Sequence, residues 1–135
     1  MSNLAVVQLK AFVPAKDFEV SKRFYQDLGF TAASEGGGIG YFFQGNCSFL
    51  LQDFYVKAYA DNFAMHLLVE DVWAWHVRLQ NNGLVQKYQA HGVACSAPET
   101  QPWGMIDFVL TDPSGVCWRI GQNTPGFKPI GKVES

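Results

Sequence analysis

Two segments of this 135-residue chain share the same pattern. In the first, residues 9–14 are largely apolar, and Asp17 can then cap a helix by accepting from otherwise orphaned backbone N–H groups. Val20, Phe24 and Leu28, with Tyr25 beside them, form a stripe at helical spacing, and Gly29 can end the helix in a left-handed conformation. In the second, residues 64–69 are apolar, Asp71 can cap, Val72, Trp75 and Leu79 make the stripe, and Gly83 ends it. The two caps lie 71 − 17 = 54 positions apart, and so do the two glycines, 83 − 29. A repeat with that spacing restricts the chain to a duplicated strand–helix–strands unit.

Each helix leads into strand-like sequence. Residues 30–34, 39–44 and 47–52 read as strands, separated by a Gly36–Gly38 turn and by Gly45-Asn46, a pair suited to a tight hairpin. In the second half a helical or looped piece over 85–91 leads to strands near 93–96, 106–111 and 116–122, with Asp112-Pro113-Ser114-Gly115 as a turn. Gly45, Cys47 and Gln52 match Gly115, Cys117 and Gln122 at an offset of 70. The expectation is an α+β domain over 1–122 made of two βαβββ modules, about 4–60 and 61–122. Its eight strands form a mixed, cup-shaped sheet with helices outside, and residues 123–135 form an irregular tail.

Composition narrows the function. The chain has 10 basic and 12 acidic residues, and no cluster or stripe of Lys and Arg appears along it, so no nucleic-acid partner is expected. No run of about 18 apolar residues suggests a membrane span. Three cysteines without CxxC spacing, and no basic-then-apolar opening, point to a reducing cytoplasm. Eleven Phe, five Tyr and four Trp exceed what a small core consumes, so some should line a concavity.

The stretches Phe12-Val13-Pro14-Ala15-Lys16-Asp17, Phe24-Tyr25-Gln26-Asp27-Leu28-Gly29-Phe30, Gln101-Pro102-Trp103-Gly104 and 107–115 resemble the glyoxalase/bleomycin-resistance superfamily (vicinal oxygen chelate fold), the bleomycin-resistance branch most of all. That resemblance implies cups completed in a homodimer. In the enzymes it implies a divalent metal held by His, Glu or Gln from the opening and closing strands. The matching positions here are Lys10, Phe49, Ala64 and Arg119, none of which suits a divalent ion. No metal and no cofactor are therefore expected.

For the site, His66 falls on the presumed cup face, either touching ligand or serving as a hydrogen-bonded structural residue. Trp103, in the Gln-Pro-Trp-Gly motif, is read as a stacking surface rather than a loop anchor. Alternation alone leaves Phe12, Tyr41, Phe43 and Phe49 facing either the cup or the helix. Lys10 and Arg119 would put positive charge where enzymes put a metal, which suits an anionic or carbonyl-bearing ligand. The expected function is a metal-free, non-enzymatic binder of a planar, partly apolar small molecule. The alternative is a lyase or dioxygenase of the superfamily with atypical or no metal ligands.

Overall fold

A computed structural model describes residues 2–126. In chain order its elements are β1 (Phe12–Pro14), α1 (Phe18–Leu28), β2 (Thr31–Gly36), β3 (Ile39–Gln44), β4 (Cys47–Gln52), α2 (Lys57–Asp61), β5 (Ala64–Leu68), α3 (Val72–Asn81), α4 (Leu84–Tyr88), β6 (Ala94–Cys95), β7 (Glu99–Gln101), β8 (Met105–Thr111) and β9 (Cys117–Asn123). The first half forms a sheet in the order β1-β4-β3-β2, the second a sheet in the order β5-β9-β8-β6 with β7 also on β8. In each, the opening strand runs parallel to the closing one and the hairpin partners run antiparallel. These are the two βαβββ modules of an α+β fold. Among the described residues the strand count rises to nine because the chain beside β8 pairs twice, with Pro98, which has no N–H to give a ladder, in the interruption.

Both caps form as the repeat requires. Asp17 accepts from Val20 N at 3.3 Å and Asp71 from Ala74 N at 3.0 Å. Gly29 ends α1 at φ 123°, and Gly83, at φ 62°, turns the chain from α3 into α4. The short α2 was not foreseen, since five residues are too few to display helical periodicity. From residue 127 onward the expected tail lies outside the described residues.

One core serves both modules. Tyr25 of α1, fully buried, packs edge-on against Phe42 and Phe49 of the first sheet and tilts against Trp118 of the second. Its hydroxyl accepts from Trp118 Nε1 at 2.9 Å and donates to Asp112 at 2.5 Å. The other Asp112 oxygen accepts from Ser114 N and Val116 N at 2.8 and 2.9 Å. Burial outweighs these bonds and raises the Asp112 carboxyl to about 6. This cluster ties the β8–β9 turn to the first helix.

The ladders decide which side chains face out. Phe49 and Trp118 are both buried, as are Leu51 and Ile120, so the closing strands correspond at 118 − 49 = 120 − 51 = 69, not 70. The repeated Gly-x-Cys letters misled because each turn needs a glycine of positive φ, Gly45 at 57° and Gly115 at 96°. The turns differ in length: four residues separate the paired Phe43 and Ser48, and five separate Thr111 and Cys117. A one-residue slip inverts a strand's faces. Phe49, expected among the cup candidates, therefore lies in the core, stacked on Phe42 at 5.4 Å, and Leu50 is the true counterpart of Arg119.

Candidate functional site

The face of each sheet turned away from the core carries the remaining candidates, in two groups. On the first sheet Tyr41 and Phe43 stack at 6.0 Å and 27°, with Leu50 opposite Tyr41 in the ladder and Phe12 opposite Leu50. Phe12 is 48% exposed, so much of its ring faces outward from this sheet. Lys10 precedes β1 rather than lying in it. Its Nζ sits 5.2 Å over the Tyr41 ring and donates to Gln8 Oε1 at 2.8 Å, while Gln8 Nε2 donates to the Tyr41 hydroxyl at 3.2 Å. This face is aromatic, with a cation laid over one ring.

The second sheet presents different chemistry. His66 and Arg119 are direct partners across the β5–β9 ladder, both on the open face. Arg119 Nη1 donates to Asp107 Oδ2 at 3.0 Å, and Gln101 Nε2 donates to Asp107 Oδ1 at 2.9 Å. Asp107 is 2% exposed, whereas Arg119 is 42% exposed. A buried carboxylate with a donor on each oxygen fixes the guanidinium from behind and leaves its other edge open. The Trp103 ring lies on the same guanidinium, 5.8 Å from Cζ, and is itself half exposed.

Local sequence explains how Trp103 is held. Gly104 N returns to Gln101 O at 3.2 Å, closing a turn with Pro102 at the position where its fixed φ fits. Gly104 O accepts from both Thr124 N and Thr124 Oγ1, at 3.0 and 3.1 Å, which ties the turn to the end of β9. Asp107 was not foreseen as a site residue, although a lone aspartate inside the apolar strand Met105–Thr111 is a signal in itself: a buried charge demands a partner.

The structure thus gathers Lys10, Tyr41, Phe43 and Phe12 on one face and His66, Trp103 and Arg119 on the other, and removes Phe49. Among the described residues no hydrogen bond or ring contact joins the two groups. The Gly36–Gly38 turn borders a hollow of about 590 Å³ beside the start of α1, with Asp17, Glu19, Glu35 and Asp53 in its wall. That hollow shares no lining residue with either group.

The profile of the Glyoxalase/Bleomycin resistance protein/Dioxygenase superfamily matches residues 6–120. The chain belongs to this superfamily. A bleomycin-binding protein solved in complex with bleomycin superposes with a TM-score of 0.75 at 25% identity, over 87% of this chain and 99% of that one. An antibiotic binding protein from Streptomyces sp. CB03234 gives 0.67 at 24% identity, over 90% and 100%. A lactoylglutathione lyase from Agrobacterium tumefaciens gives 0.62 at 17% identity, over 92% and 100%, so the same fold also carries enzymes. No curated protein matches the sequence significantly.

Enzymes of the superfamily hold a divalent ion, and the donors present here do not fit one. Lys10 and Arg119 offer protons rather than lone pairs, Leu50 and Ala64 offer nothing, and both Asp107 oxygens are engaged. His66 would be a single ligand. Among the described residues no group of three His, Cys, Asp or Glu is arranged around one point. Burial raises the Cys95 thiol to about 11, which keeps it protonated at neutral pH.

Proposed function

We propose that this member of the superfamily is a metal-free binder of a planar, partly apolar small molecule. The observation that carries the reading is Trp103, a half-exposed aromatic face held over Arg119 on an open sheet surface. A ring laid on such a face gains about 0.5–1.5 kcal/mol beyond area burial. His66, Phe12, Tyr41, Phe43 and Lys10 are the further contacts, drawn from both faces. The likeness to a bleomycin-binding protein and to an antibiotic binding protein supports binding over turnover.

Because no hydrogen bond or ring contact joins the two groups among the described residues, the binder is read as a homodimer in which the aromatic face of one copy opposes the charged face of the other. Its covering segment is the arm 2–11. Leu4, Val6, Val7 and Leu9 there are 85–93% exposed, and the first ladder-type bond beside it is Leu50 N to Ala11 O. Apolar residues left in water along a whole segment call for a partner surface. Sedimentation should show a species near twice 15.0 kDa, and removal of residues 2–9 should shift it toward the single chain. A cytoplasmic setting suits the free thiols Cys47, Cys95 and Cys117.

Native mass spectrometry of protein from its source, with elemental analysis of the same sample, tests the function. An organic adduct lost on Trp103→Ala, with metal far below one equivalent, is the expected result. One equivalent of Zn, Ni, Fe or Mn per chain would overturn it.

A further inference from the structure

The second sheet also specifies the chemical class of the ligand, an inference that rests on the binding reading above. We infer that the site receives an aromatic acid, its ring on Trp103 and its carboxylate on the free edge of Arg119.

Arg119 spends one N–H on Asp107, and the rest of the guanidinium has no hydrogen-bond partner among the described residues. A planar fork with free donors, facing outward from a sheet, matches the two oxygens of a carboxylate in a bidentate pair. The fork is positioned rather than loose. Asp107 accepts from it, Gln101 holds Asp107, and its Cζ lies over the Trp103 ring at 5.8 Å. Room for Asp107 is itself specified: its ladder partner is Gly121, where an added Cβ would meet Asp107 Cβ at 2.9 Å and Ile106 O at 3.1 Å. A side chain there would push the carboxylate out of its seat.

The charges on this face agree with a single acid group. Asp107 is buried behind Arg119, so an incoming anion meets the guanidinium first and the carboxylate at longer range. Glu99, opposite Asp107 on β7, is exposed, so its repulsion is screened by solvent. His66, the cross-strand neighbour of Arg119, adds an N–H donor beside the fork.

The test uses three probes of one shape: 2-naphthoate, 2-naphthamide and 2-naphthylmethylamine, titrated into the full chain by calorimetry. The acid should bind at least ten-fold tighter than the amide, and the amine weakest. Arg119→Met should remove that preference, lowering acid affinity ten-fold or more and leaving the amide within two-fold. Because Arg119→Met strands a buried carboxylate, the pair Asp107→Asn/Arg119→Met is measured beside it, with the same loss expected. Arg119→Lys, which keeps charge without the fork, should recover only part of the preference. Equal binding of acid and amide, both lost on Trp103→Ala, would overturn the acid class and leave the binding reading standing. Preference for the amine would likewise overturn the acid class. No binding of any probe at millimolar concentration would count against both.

Discussion

The two halves of this chain share a frame and differ in what they expose. Each has a capped helix and a parallel pair of opening and closing strands. The first half buries more of its helix: Val20, Ser21, Phe24, Tyr25 and Leu28 of α1 lie in the core, against only Val72 and Leu79 of α3. On the outer face the contrast is chemical. Where the first sheet shows Phe12, Tyr41, Phe43 and Leu50, the second shows His66, Asp107 and Arg119 at or near the corresponding ladder positions. Duplication kept the alternation that builds a core and released the opposite face to diverge. The side that carries no packing duty is where function could be written twice, in different chemistry.

The largest expected effect tests the register behind that comparison. Phe49→Ala should cost about 3–5 kcal/mol in urea unfolding, because it empties the centre of the Phe42, Tyr25 and Trp118 cluster. Leu50→Ala, one residue along and on the open face, should cost well under half of that. The reverse order would restore the offset of 70 and put Phe49 back in the cup.

Next in size is the buried carboxylate that only the second hairpin turn possesses. Folding raises Asp112 from 3.8 to about 6, so the native state holds its proton more tightly than the unfolded chain. Its contribution to stability is therefore present in full below pH 3.8 and is lost as pH rises through about 6. The loss amounts to about 3 kcal/mol at 1.36 kcal/mol per pKa unit. Asp112→Asn should flatten that portion of the stability–pH curve. A curve with unchanged slope between pH 4 and 6 would remove Asp112 as its source.

Gly121 and Gln52 occupy equivalent places, 121 − 52 = 69, and should respond differently. Gly121→Ala should destabilise by about 1–3 kcal/mol through the clash with Asp107 and Ile106 O. Gln52→Ala, half-buried on the first sheet, should change thermal stability by less. Smallest, and equal in the two halves, is the loss of a cap: Asp17→Ala and Asp71→Ala should each cost about 1 kcal/mol. Unequal costs would show that the shared frame is less symmetric than its hydrogen bonds.

Much of this was legible in the sequence, and the errors have physical causes. The spans of β3 and β4, both helix caps and the parallel arrangement of the halves came from alternation, cap chemistry and the repeat. What failed was parity. Turn glycines recur wherever a positive φ is needed, so aligning on Gly45 and Gly115 aligned two turns of unequal length and reversed one strand's faces. Aligning on the buried pair Phe49 and Trp118 corrects it. Of the candidate site, Trp103, His66 and Arg119 can be proposed from the sequence as residues, but their grouping on one face cannot. The distance between Arg119 and Asp107 depends on a hairpin register, and the separation of the two faces depends on how the sheets share a core. Sequence spacing encodes neither directly.

That ligand sits on the charged face of the second sheet is tested most directly by amide shift mapping with 2-naphthoate on the full chain. The largest changes should fall at His66, the Gln101–Gly104 turn, Asp107 and Arg119, with smaller ones at Tyr41 and Phe43. Changes concentrated around the acidic hollow at Lys16, Asp17 and Gly36–Gly38, or none at saturating probe, would contradict it.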